Sequence, residues 1–313
     1  MKVTTGMLHS TKLLLLALLL GAFLAPAERL PSRKPLRKPD VLIQTGPANN
    51  IGRVDYDPRT GDYIFQWQGL DGKPKRAVYV PPWKAIVTVT AEVRPQEEGG
   101  FHYSYVVENA PKSPQAVELF YIEMSRAPQK VRVPDKWRFR GVNETVVGKL
   151  GQFSTYDAPL KPGSSLKFEF LSPFPPGTVK CYASGDTPMM RVPEELPGEL
   201  EDRLPKGGMA GSYLRGLTLA PIENPSFARL VSDWNSGVKE GWVREEWVSN
   251  QVTQDLKNVL QLVEVRRYRH VAEKVSEIIR FARQNQKLLE PEAQALLVIT
   301  LPYLTKKLQK GTL

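Results

Sequence analysis

Residues 87–109 read VTVTAEVRP, QEEGG, FHYSYVVEN. Val87, Val89, Ala91 and Val93 alternate with Thr88, Thr90 and Glu92; after the break, Phe101, Tyr103, Tyr105 and Val107 alternate with His102, Ser104, Val106 and Glu108. An apolar side chain at every second residue places one face of a strand in a core and the other in water. The intervening Gly-Gly pair supplies hairpin turn chemistry. Working outward, Tyr63, Phe65 and Trp67 line one face after the turn Asp57–Asp62, and Leu166, Phe168 and Phe170 repeat the alternation. Val179, Cys181 and Ala183 do so again, opposite Thr178, Lys180 and Tyr182. Val117 to Met124 breaks the pattern, as a bulged or doubly buried strand does. Turn signals at 109–114, Pro162-Gly163 and Pro175-Pro176-Gly177 separate the runs. Residues 41–186 are therefore expected to form an immunoglobulin-like β-sandwich.

The period then changes. Residues 187–222, rich in Pro and Gly, are expected to be an interdomain linker. Val252, Leu256, Val259, Leu260 and Val263 follow a helical spacing, as do Val271, Val275, Ile278, Ile279 and Ala282. A third helix is expected to start at Glu290-Pro291, with Pro302 kinking or shortening it. Residues 223–313 thus read as a small helical bundle, giving a mainly β plus α chain.

The N-terminus points to export. A short basic lead precedes the apolar run Leu13–Leu24, and Ala25-Pro26-Ala27 closes it with a small-x-small cleavage site, so 1–27 is expected to be a signal peptide. Residues 28–40, with five Lys or Arg against two acids, are expected to be a basic Pro-rich linker, extended and solvated. Cleavage leaves about 286 of the 313 residues, enough for two domains with cores. The formal charge of +10 falls to +8 when Lys2 and Lys12 leave with the signal, and apart from the leader it is spread thinly. A nucleic-acid partner is not expected, since such proteins gather their charge on one face. Nor is a transmembrane span expected after cleavage.

Lys161–Phe170 (KPGSSLKFEF), Ser172-Pro173, Pro176-Gly177, the run Tyr103–Asn109 with Ser113 and Gln115, and Trp137 together resemble a pattern of uncharacterised exported bacterial proteins. There a Pro-Gly turn opens each of two successive strands. The tail is similar to the FIMAH-type helical module of extracellular bacterial proteins through Gly241-Trp242-Val243, a helix with Leu256 and a second helix with Phe281. The resemblance implies no particular activity.

Chemistry-bearing residues are sparse. The one cysteine, Cys181, permits no intrachain disulfide or Cys-x-x-Cys zinc site and is expected to be buried and inert. His102 and His270 fall in different expected domains. Ser164-Ser165-Leu166-Lys167 matches S-x-x-K but enters a strand, where the two side chains do not share a helical face. Asp55, Asp57 and Asp62 read as turn-forming aspartates rather than a calcium loop. Trp67, Trp83 and Trp137 are the candidate ligand-stacking residues, because indole faces stack on sugar rings. Glu97, Glu98, Glu108 and Asp157 are the carboxylates near the expected loops. No catalytic, cofactor or metal site is assigned. The expectation is a non-catalytic, periplasmic or secreted binding or scaffold protein with an envelope or extracellular partner. A carbohydrate-binding module is the alternative, and a carboxylate-dependent hydrolase ranks behind it.

Overall fold

The computed structural model describes residues 33–39, 43–145, 147–186, 196–204 and 213–311; the signal peptide expected over 1–27 lies outside them. Among the described residues thirteen strands form three antiparallel sheets. The first is a meander of β1 (Gly46–Ala48), β2 (Gly52–Asp57), β3 (Asp62–Gln68) and β4 (Pro74–Tyr79). The β2–β3 turn is set by Asp57, whose carboxylate accepts from the Arg59 N–H at 2.9 Å, and by Gly61 at φ 73°.

Residues 87–109 form the hairpin β5 (Val87–Pro95) and β6 (Phe101–Asn109). The later strands are β7 (Val117–Glu123), β8 (Gln129–Arg132), β9 (Arg138–Thr145), β10 (Gly148–Ser154), β11 (Ser164–Ser172), β12 (Pro176–Gly185) and β13 (Leu214–Pro221). The second sheet has the order β5-β6-β11-β8 and the third β13-β12-β7-β10-β9. Their inner faces meet in an aromatic layer. Phe120 of β7 lies 5.6 Å from Phe168 of β11 and 6.2 Å from Tyr105 of β6, while Phe153 of β10 lies 5.1 Å from Phe168. The broken alternation of β7 now has its cause. It is the central strand of the third sheet, and Tyr121 on its other face joins Leu150 and Tyr182 in a second buried cluster.

A strand at a sheet edge leaves half its backbone groups unpaired, and those must be covered or solvated. The leader covers two edges. The Leu36 N–H donates to Val87 O of β5 at 2.7 Å, and Arg37 exchanges bonds of 2.7 and 2.8 Å with Arg215 of β13. The Arg37 guanidinium also reaches Glu240 at 2.6 Å. The extended, solvated linker expected over 28–40 is thus corrected for Leu36 and Arg37, which dock on the strands, while 28–32 and 40 lie outside the described residues.

The linker expected over 187–222 is corrected for 196–204 and 213–222, while 187–195 and 205–212 lie outside the described residues. Its end forms β13, and residues 196–204 carry a short helix, α1 (Gly198–Glu201), whose Leu200 is fully buried. The Arg203 guanidinium donates to the carbonyls of Gln44, Gly46 and Pro47 at 3.3, 2.7 and 2.7 Å, fixing this segment to the first sheet.

The helical periodicity gives α2 (Phe227–Glu240), α3 (Glu246–Glu264), α4 (Tyr268–Gln284), α5 (Pro291–Ala295) and α6 (Leu301–Gln309). Pro302 neither ends nor shortens the last helix. A π-turn over Leu296–Thr300 joins α5 to α6 and absorbs the missing N–H and the bulk of the ring. Three buried hydrogen bonds tie helices to strands: Ala91 N–H to Glu292 Oε1 at 2.6 Å, Thr300 Oγ1 to Pro176 O at 2.6 Å, and Thr178 Oγ1 to Asp233 O at 3.2 Å. The described residues from Lys34 onward make one compact unit. Among the described residues no helix is long and apolar enough to cross a membrane.

Candidate functional site

The expected stacking residues are core residues. Trp67, Trp83 and Trp137 are 6, 8 and 4 % exposed. Trp137 donates its indole N–H to Ala158 O at 3.0 Å and stands edge-on to Phe168, while Trp83 packs against Tyr79. An indole covered on its faces offers no platform to a sugar ring. The exposed tryptophan is Trp247, 52 % accessible and edge-on to Phe281.

The loop carboxylates are divided between the two ends of the second sheet. Ser172 pairs with Phe101 and Ser164 with Asn109, so the β5–β6 loop bearing Glu97 and Glu98 lies at one end, and Glu108 at the other near the loop that carries Asp157 into β11. Nine residues of strand separate them by roughly 30 Å. His102 is on the outward face, 3.4 Å from Glu169, and His270 is exposed at the start of α4. Asp55, Asp57 and Asp62 are engaged by Arg53, Arg59 and Lys84 respectively. Among the described residues no three His, Cys, Asp or Glu side chains converge as metal ligands.

Cys181 is fully buried on the inner face of β12, in the register expected from its neighbours. Native protein is therefore expected to leave thiol reagents unreacted until denaturant is added. Rapid labelling without denaturant would show that β12 opens.

A different place offers binding geometry. The end of β7, the start of β10, Val179 of β12, the end of β13 and the first turn of α2 enclose a cleft of about 410 Å³. Met124, Val179, Pro221 and Ile222 supply apolar walls, and Glu123, Lys149, Glu223 and Arg229 supply charge. Local sequence accounts for the shape. Gly151 leaves room for the Met124 thioether, and Gly177 leaves room for Ile222 and the Asp233 carboxylate. Ser226 caps α2 by accepting from the Arg229 N–H at 3.1 Å, and Arg229 in that first turn lines the cleft.

The charges are not equivalent. Glu223 is held by Ser125 Oγ at 2.6 Å and Arg126 at 3.0 Å, and Glu123 accepts from the Lys180 N–H at 3.0 Å. Arg229 donates to Thr178 O at 3.1 Å and lies 3.4 Å from Asp233. Burial raises the Asp233 pKa to about 6, against the opposing pull of Arg229. Among the described residues Lys149 reaches only Glu144, at 3.9 Å, and it is half exposed. The acids are taken up by protein donors, whereas Lys149 remains accessible at the mouth beside apolar walls. Such a site suits a small molecule with an apolar body and an anionic group.

These residues carry no sequence motif. The available signals were Gly177 opening β12 and the Asn224-Pro225-Ser226 helix start, and both mark backbone geometry rather than chemistry. Compared with known protein families the chain matches no family model, and no curated protein matches it.

Proposed function

We propose that this is an exported, non-catalytic binding or scaffold protein, built as an immunoglobulin-like β-sandwich with a C-terminal helical bundle. Periplasmic or secreted placement follows from the signal-like N-terminus. The cleft walled by Met124, Val179, Pro221 and Ile222, with Lys149 at its mouth, carries the binding reading. The carbohydrate-module alternative loses the support it drew from Trp67, Trp83 and Trp137. For the hydrolase alternative, Glu97 and Glu98 stay together on the β5–β6 loop, at the opposite end of the sheet from Glu108.

The reading is tested with phenylacetate as an apolar anion, followed by methyl shifts of Met124 and Ile222 in nuclear magnetic resonance. Saturable shifts are expected, weakened several-fold in Lys149→Ala, because an accessible cation contributes modestly to affinity. Absence of shifts removes the cleft as the binding site. Turnover of a peptide, ester or glycan that is lost on changing Glu123 or Glu223 overturns the non-catalytic reading.

A further inference from the structure

We propose that the tip joining α3 to α4, Val265–His270, docks the protein on an anionic lipid bilayer. This goes beyond the cleft and rests on the proposed function for the extracytoplasmic setting.

Glu264 to His270 are seven consecutive exposed residues. They include Val265 and Tyr268, 62 and 42 % accessible, among the large apolar side chains the fold leaves in water. Arg266, Arg267 and Arg269 stand between and beside them. Arg269 is bridged to Glu273 at 3.4 Å, but among the described residues Arg266 and Arg267 have no acidic partner. Glu264 is the remaining acid at the tip.

The way α3 ends makes Arg266 informative. The Arg266 N–H donates to Val263 O at 3.0 Å and the Arg267 N–H to Leu262 O at 2.9 Å, a two-bond stop that needs a left-handed residue at its corner. Arg266 occupies that corner at φ 57°. Helix α2 ends with the same pair of bonds, Gly241 N–H to Val238 O and Trp242 N–H to Gly237 O, and there the corner is Gly241 at φ 85°. One chain thus builds the same stop twice, once with the residue suited to it and once with a strained arginine. The arginine adds charge where glycine would serve the fold better.

Partner chemistry follows from the side chains together. Arginines are drawn to the negative surface potential of anionic lipids, and their attraction fades within a Debye length. Tyrosine and a short aliphatic chain suit the boundary between headgroups and acyl chains. A soluble anionic polymer would engage the arginines but give Val265 nothing to bury against.

The test is co-sedimentation with vesicles of phosphatidylcholine containing about one-third phosphatidylglycerol, against phosphatidylcholine alone. Binding is expected only to the anionic vesicles. Arg266→Gly should weaken it roughly fivefold while Tm stays unchanged or rises by up to about 3 °C. The double change Val265→Ser with Tyr268→Ser should also weaken binding several-fold. Undiminished binding by Arg266→Gly overturns the proposal, as does undiminished binding by the double variant that polyphosphate abolishes, which would assign the tip to an anionic polymer. The comparison reads the tip whether or not residues 1–27 are retained, since the N-terminus is common to every variant. A failure of the non-catalytic reading would show separately, as turnover.

Discussion

Replacing Glu292 by alanine is expected to lower the stability of the whole chain by about 2–4 kcal/mol and to shift one unfolding transition rather than one of two. Glu292 lies on α5, is fully buried, and accepts from the Ala91 N–H of edge strand β5 at 2.6 Å. It sits in a polar island inside the core. The Tyr105 hydroxyl, which donates to Leu219 O at 2.7 Å, is pushed well above its ordinary pKa by burial, with Cys181 and Glu292 adding to the effect. Alanine would strand a backbone N–H in the interior, at a cost of about 1–3 kcal/mol, and leave a void behind it. Against this, a buried carboxyl would no longer have to be desolvated, so the losses do not simply add. Glu292→Gln keeps both an acceptor and the volume and should stay within about 1 kcal/mol of the parent. Because the bond joins a helix to a strand, both should unfold together, giving one calorimetric peak with matching van't Hoff and calorimetric enthalpies. Two peaks in the parent, with only one displaced by Glu292→Ala, would show that helices and sheets unfold independently.

Where side chains themselves report their surroundings, the sequence is a good guide. The alternation of Val87–Val93 and Phe101–Val107 and the helical spacing of Val252–Val263 follow directly from which face is wet, whereas β12 is covered on both faces apart from Lys180. Segments held by backbone hydrogen bonds leave no such trace. Leu36 and Arg37 lie in a Pro-rich basic run, yet what fixes them is pairing with Val87 and Arg215 on two exposed edges. The same holds for residues 196–204, where one arginine, Arg203, gathers three carbonyls from the first sheet. Composition reads both as linkers, because composition cannot see which edges remain unpaired. The tryptophans fail for another reason. Large aromatic residues serve equally as core and as platform, and only the fold decides. The cleft was invisible because its residues come from five separated elements and share no motif.

A second substitution should reverse the sign expected from local sequence. Gly237 lies inside α2, where glycine ordinarily costs about 0.5–1 kcal/mol relative to alanine, so Gly237→Ala would be expected to stabilise. Instead it is expected to destabilise by about 2–3 kcal/mol. After the left-handed turn at Gly241, the chain folds back so that the Trp242 ring lies directly on Gly237, and a Cβ built there would overlap the ring carbons. Trp242 is 3 % exposed and its N–H is tied to Gly237 O at 3.0 Å, so it has little freedom to withdraw. Its carbonyl meanwhile accepts from the Glu290 N–H at 2.8 Å, next to α5. Displacing the ring should therefore loosen the start of α5 as well as the end of α2. Chemical denaturation measures the effect, and hydrogen exchange locates it at Trp242–Glu245 and Glu290–Ala293. A Gly237→Ala protein as stable as the parent or more so would mean that the ring is not held against α2, and that helix propensity governs this turn after all.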